Sequence, residues 1–399
     1  MAQPYLTADQ ATEALGIAKA TLYAYTSRGQ LQSEPVPGKP RERRYLRQDI
    51  ERLRERKEAR RDPAKAAARG LHWGSAVLES GITLIEDGRL YYRGWDVLEL
   101  AEAASLEQIA ELLWDGAAAG ASPLLARQMA ALRTLGRDPL TVFQMALPLA
   151  AAADPAGHDL RPAAVRQTGA RILRLFVATI TGRTTARPAH LALQAAWAPK
   201  NVRAGEAIRK ALVLCADHEL NASAFTARCA ASAGASPYDA MATAVAALRG
   251  RKHGGATERA AALFEEVREP RQARAVVAGR LRRGETLPGF GHPLYPAGDP
   301  RARLLLRLAE ASGNGAEWRL VRSLWKAGAA LLKEEPNLDF GLVALARAYA
   351  LPAGAPLILF ALGRTTGWIA HAMEQYEAGE LIRPRARYTG PIPEEPFSP

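Results

Sequence analysis

The stretch from Gly284 to Arg301, GETLPGFGHPLYPAGDPR, constrains the fold of this chain more than any other. Pro288, Pro293, Pro296 and Pro300 all fall within it. Proline fixes φ and lacks a backbone donor, so neither a regular helix nor an inner strand can run through the segment. Gly289 and Gly291 permit backbone angles and close approaches that other residues do not. The expectation is a rigid loop presenting His292 and Arg301, a proton donor beside a carboxylate clamp. The plain alternative is a surface loop with an incidental histidine, and the loop by itself does not choose between them.

The flanking sequence is of another kind. With 399 residues the chain can fill two or three domains and bury a large core. Aromatic residues make up only 7% and alanine is abundant, which favours closely packed helices. Helical periodicity recurs through Glu107–Trp114, Pro123–Leu135, Arg161–Thr181, Gly205–Ala216 and Ser236–Arg249. ESGITLIEDGRLYYRGWDVLELA instead carries two alternating runs about Asp87-Gly88, a hairpin signal. The only cysteines, Cys215 and Cys229, lie in apolar, helix-like sequence and read as buried free thiols. Met1 is followed by polar sequence with no signal-peptide pattern. The longest apolar run, Ala348–Gly363, contains Pro352 and Pro356 and is too short to span a membrane. A soluble, cytoplasmic protein with no membrane partner is expected.

The formal net charge is +12, and residues 1–70 carry half of the excess, with 15 Lys and Arg against 9 Asp and Glu. YLTADQATEAL opens with a capping box, Thr7 with Gln10 three residues on. Leu15-Gly16 stops that helix, and Ile17–Arg28 forms a second before Gly29. GKPRERRYLRQDI follows as a basic hairpin. Residues 1–58 together resemble the MerR/excisionase-like winged helix-turn-helix, whose second helix enters the major groove. That resemblance implies double-stranded DNA as a partner, with Lys19, Thr21, Tyr23, Tyr25 and Arg28 facing it and Arg43, Arg44 and Arg47 reaching phosphates. A docking domain whose basic face is merely solvated is the alternative. Residues 59–70 read as a linker around Pro63, and 391–399 as a Pro-rich tail.

Four further segments run in a fixed order: ADHELNASAF (216–225), LRGRKHGGA (248–256), GFGHPLYPAGDPR (289–301) and EEPNLDFGL (334–342). Together they resemble the citrate synthase family, as does LYYRGWDVLELAEAASLEQIAELLW near the start of residues 71–390. The fold this implies is a mostly α, two-lobed helical domain, its small lobe about 257–345, preceded by the small winged helix-turn-helix. The family joins the methyl carbon of acetyl-CoA to the ketone of oxaloacetate and then hydrolyses the citryl thioester. A thioester methyl is a very weak acid, so a base must be held against it while donors stabilise the enolate oxygen. The growing alkoxide needs an acid, and the two carboxylates of oxaloacetate need planar cations.

By resemblance, Asp339 is the base, His253 holds the enolate oxygen and His292 is the acid. His218 and Asn221, one helical turn along on the same face, bind oxaloacetate, and Arg301, Arg364 and Arg383 clamp its carboxylates. The Arg364 assignment rests on the pattern in GRTTGWIAHAMEQY. Arg383 is expected to complete the neighbouring subunit's site in a homodimer. Leu287, Pro288, Gly289 and Gly291 would offer backbone groups to coenzyme A, with Asn337 near its pantetheine arm. Acetyl-CoA is a co-substrate; no permanently bound cofactor and no metal are expected. His72, His158, His190 and His371 read as structural. The chain departs from the family at Pro293-Leu294 after His292, at Thr257, where asparagine is usual, and at Ser223-Ala224, so propionyl-CoA with a 2-methylcitrate product stays open. So does a transcription regulator whose synthase-like domain senses a metabolite.

Overall fold

The computed structural model describes residues 5–27, 31–36, 39–47, 49, 50, 53, 78–122, 124, 126–135, 138–384, 386, 389 and 390. Arg28, His72, the expected linker 59–70 and the tail 391–399 lie outside the described residues. The fold is mostly helical. The described residues fall into two compact units, one drawn from before Ser80 and after Ile382, the other Ser80–Ile382.

In the first unit, helices Ala8–Leu15 and Lys19–Ser27 meet at a turn where Gly16 takes a left-handed φ of 58°. The capping box forms as expected: Thr7 Oγ1 accepts from the Gln10 N–H at 3.3 Å, and Gln10 Oε1 accepts from the Thr7 N–H at 3.0 Å. Strand Lys39–Leu46 pairs antiparallel with Tyr5–Thr7 on one side and Ser33–Val36 on the other. Leu6, Ala11, Leu15, Leu22, Leu31, Tyr45 and Ile50 form its core. Tyr25 is half-buried and packs against that core.

The second unit opens with the expected hairpin, Thr83–Glu86 against Arg89–Tyr92. Asp87 and Gly88 both have positive φ, 50° and 74°, as a tight two-residue turn matched to strand twist requires. Beyond it the unit is helical. Its centre is the 24-residue helix Ala355–Ala378, which packs on Ala222–Ser232, Pro162–Thr181, Val202–Leu214 and Pro237–Leu248. Two glycines make the closest of these contacts possible. A Cβ on Gly363 would stand 2.6 Å from Leu212 O, and one on Gly367 would stand 2.5 Å from Ala216 O. Bare backbone at both positions lets residues 212–217 press onto the helix, and the Gly367 N–H donates to Ala216 O at 3.0 Å. Tyr92 pins the same segment, its hydroxyl accepting from the Asp217 N–H at 3.0 Å. His218 and Arg364 thereby come to one place. Cys215 is buried and Cys229 only half-buried, and both are free thiols. Among the described residues no helix is long and apolar enough to cross a membrane.

Candidate active site

Four helices begin at the site: Ala222–Ser232, Gly255–Glu266, Pro300–Glu310 and Leu338–Ala348. Three of these starts are encoded locally. Asn221, Asp299 and Asn337 are N-caps whose side chains accept from the first-turn N–H groups, and Pro300 occupies a first-turn position that needs no donor. Asn221, Arg301, Asn337 and Asp339 sit on these caps and first turns, where unpaired N–H groups and the helix dipole favour anions.

Two local expectations change. His218 lies in the loop before the Asn221 cap, so the pair does not share a helical face; φ of Glu219 is 51° and the chain turns between them. Arg301 stands in the first turn of a helix rather than at the end of a loop, because Pro300 and the Asp299 cap start that helix one residue earlier.

Side-chain hydrogen bonds join the starts into a closed ring. Ser223 Oγ lies 2.7 Å from His253 Nε2, linking the first helix to the turn before the second. The Thr257 hydroxyl donates to Asp339 Oδ1, linking the second helix to the fourth. The Leu338 N–H donates to Asp299 Oδ2 at 3.2 Å, linking the fourth to the third. Tyr295, in the Pro-rich loop, places its hydroxyl 2.9 Å from His218 Nε2 and closes the circuit. Asn337 Nδ2 also donates to Gly291 O at 3.1 Å, tying the residue before His292 to the segment of Asp339. His218 and His292 meet edge to face with ring centroids 5.1 Å apart.

The electrostatics follow from burial beside cations. Burial, then the guanidinium of Arg364, pushes His253 down to about 4. Burial and Arg301 push His292 to about 4, with Asp299 opposing. His218 is held well below the usual imidazole range by burial, then by Arg301 and Arg364. All three imidazoles are therefore neutral at pH 7. His292 Nδ1 accepts from the Leu294 N–H at 3.2 Å, so its own proton resides on Nε2. Burial raises the Asp339 carboxyl, against the Thr257 hydrogen bond and Arg301. Asp299 grips Arg301 in a two-pronged pair, Nε to Oδ1 at 3.0 Å and Nη2 to Oδ2 at 2.8 Å. Burial opposes the Arg301 charge, but Asp299 holds it above its ordinary pKa. Among the described residues Arg301 Nη1 is buried with no partner, a donor suited to an incoming carboxylate. Arg364 donates from Nε to Cys215 O at 2.9 Å and lies over the Phe360 ring, which His253 also meets edge-on.

Ser223, Thr257, Tyr295, Asp299 and Trp368 complete the arrangement without having been singled out from sequence as site residues. Ser223 and Thr257 had registered only as departures from a familiar pattern; Asp299 is legible afterwards as a cap before proline. Other expectations fall elsewhere. Leu287, Pro288 and Gly289 are buried, and the Gly289–Gly291 backbone pairs with 335–337: Gly289 O accepts from Asn337 N–H, and Gly291 N–H donates to Glu335 O, both at 2.9 Å. Asn337 Oδ1 accepts from Asp339 N–H at 3.1 Å, so both ends of its amide are engaged within the protein. Arg383 is exposed and lies outside the unit Ser80–Ile382. His371 is fully buried, its Nε2 3.3 Å from Asp217 Oδ1.

In the N-terminal unit, Lys19 pairs with Asp9 at 2.5 Å, Tyr23 is exposed and Thr21 half-buried. Arg43 Nη2 donates to Ser33 O at 3.1 Å. Arg44 Nε donates to Glu34 at 2.6 Å and its guanidinium lies over the Tyr5 ring, while Arg47 is half-buried.

Residues 70–385 match the family profile described as Citrate synthase, C-terminal domain, and residues 5–58 match a Helix-turn-helix domain. The chain is 30% identical over 360 residues to Citrate synthase 2 of Bacillus subtilis (strain 168), covering 82% of this chain and 96% of the relative. It is 32% identical over 336 residues to a 2-methylcitrate synthase of Mycobacterium tuberculosis, covering 75% of this chain and 84% of the relative. Among solved structures, the ternary complex of carboxymethyl coenzyme A and oxaloacetate with citrate synthase from Thermoplasma acidophilum superposes with a TM-score of 0.69 at 26% identity, over 83% of this chain and 98% of that one.

Proposed function

The chain belongs to the citrate synthase family, and from that premise we propose that it condenses acetyl-CoA with oxaloacetate to give citrate and CoA. Asp339 removes a proton from the thioester methyl. Its raised carboxyl pKa narrows the gap to that weak acid. The enolate oxygen is held by the His253 imidazole, which Ser223 Oγ orients from 2.7 Å at Nε2. The enolate carbon attacks the ketone, and His292 Nε2–H gives its proton to the new alkoxide. Water then cleaves the citryl thioester, releasing citrate and CoA. Arg301, through the unpartnered Nη1, and Arg364 bind the carboxylates, with His218 and Asn221 alongside. Arg383 serves the partner site of a homodimer.

The observation that carries this reading is the closed hydrogen-bonded ring, which joins segments bearing a base, three neutral imidazoles and a buried arginine. A pure sensor has no need of that complete set. The test is steady-state thiol release with oxaloacetate and a series of acyl-CoAs. Turnover is expected, fastest with acetyl-CoA. Preference for propionyl-CoA would make the protein a 2-methylcitrate synthase, and no turnover by the folded chain would leave a regulator that senses a metabolite. We infer that residues 5–58 bind duplex DNA through the Lys19–Ser27 helix and the basic strand Lys39–Leu46.

A further inference from the structure

The Asp339 carboxylate has one side-chain hydrogen-bond partner among the described residues, the Thr257 hydroxyl. Thr257 is buried and occupies the third position of helix Gly255–Glu266, four residues after His253. The intervening turn is fixed by backbone bonds: Gly254 N–H to Leu248 O at 2.8 Å, Ala256 N–H to His253 O at 2.8 Å and Thr257 N–H to Gly254 O at 3.0 Å. A β-branched side chain in a helix has few χ1 choices, and a threonine hydroxyl there often turns back to its own helix. Here it reaches across to Oδ1 of a residue 82 positions away.

We propose that Thr257 is a positioning residue for the reaction: its hydroxyl holds the Asp339 carboxylate in register with the turn that carries His253. This rests on the assignment of Asp339 as base. With Oδ1 occupied, Oδ2 takes the methyl proton, and proton removal and enolate stabilisation are set by one rigid turn. Among the described residues, other charged or titratable groups whose charge is felt at Asp339 include Arg301 and Asp299 from the start of helix Pro300–Glu310 and Arg259 from helix Gly255–Glu266, and Asp339 acts in turn on Cys215. Removing the hydroxyl takes away one of the influences that hold the Asp339 carboxyl down, so the acid limb of activity moves to higher pH.

The experiment compares the wild-type chain with Thr257→Val, Thr257→Ala and Thr257→Ser by thiol release. Thr257→Val is expected to lower kcat about 10- to 100-fold, the scale of a misplaced catalytic group. KM for the acyl-CoA should stay within about twofold, because ground-state binding is untouched. The acid limb of the pH profile moves up, the isotope effect with methyl-deuterated acetyl-CoA rises, and Thr257→Ser recovers most of the rate. If the valine variant does not fold, the alanine variant is read against serine in the same way. A hydroxyl-free variant that folds and keeps kcat and the acid limb, or loses kcat with the limb and isotope effect unmoved, overturns the proposal. An inactive wild-type chain instead overturns the functional reading beneath it.

Discussion

Ser223→Ala tests the site at its most crowded hydrogen bond. Ser223 is fully buried, and its Oγ accepts from Trp368 Nε1–H at 3.0 Å and lies 2.7 Å from both Asn221 Oδ1 and His253 Nε2. A serine hydroxyl has one proton and two lone pairs. Asn221 Oδ1 takes that proton, and also accepts from the N–H groups of Ser223 and Ala224, both at 3.2 Å. The remaining lone pair of Oγ meets His253 Nε2 and orients the imidazole. Alanine removes all of this. The fully buried Trp368 N–H is left unpaired, at a cost of about 1–3 kcal/mol. His253 keeps its ring but loses the hydroxyl that orients it. We expect kcat about 10- to 100-fold lower, below the roughly 100- to 1000-fold loss from deleting a preorganised donor outright. Urea unfolding and thiol release on the same preparation read both effects. Wild-type kcat would refute the orienting role of Ser223 even if stability fell, and an unchanged unfolding midpoint would refute the burial argument.

Asp339→Asn and His292→Ala are each expected to lower turnover by roughly 10²–10⁴, the range for losing one acid–base group; either variant at the wild-type rate would cancel that residue's role. His253 and His292 titrate near 4 in the folded chain against about 6.5 unfolded, so the unfolded state binds more protons between these values. Their contribution is fully present above about pH 6.5 and is lost as pH falls towards 4, at most about 3 kcal/mol each; urea midpoints flat across that window would contradict the burial of both rings. Gly328→Ala places a Cβ 2.2 Å from the Phe290 ring, which packs on Phe340 beside the His292 loop. Overpacking of that kind costs about 1–3 kcal/mol, and a denaturation midpoint equal to wild type would show the loop has more room than the structure gives it. Duplex binding by the N-terminal domain should weaken steeply with salt, through release of counterions from contacted phosphates, and salt-independent or absent binding would favour a docking role.

The parts of this protein readable from sequence are those whose cause lies within a few residues. The Asp87-Gly88 hairpin, the Thr7–Gln10 capping box and the glycine stop at Gly16 form as their local chemistry demands. So does the loop before Pro300, which no helix or strand can cross. The local signals near Asn221 and Pro300 were misread, as a helical face and as a loop end, because each is a cap and a cap reverses which side of the boundary a residue belongs to. A family resemblance supplied candidate side chains but not their supports. Thr257 meeting Asp339 across 82 positions, Tyr295 meeting His218 across 77 and Ser223 meeting His253 across 30 depend on how helices pack, and the bare backbone at Gly363 and Gly367 seats the segment that leads to His218. Local sequence sets backbone angles through steric contacts between near neighbours. Pairing between distant side chains is set by the packed interior, where a single methyl group decides whether two segments meet.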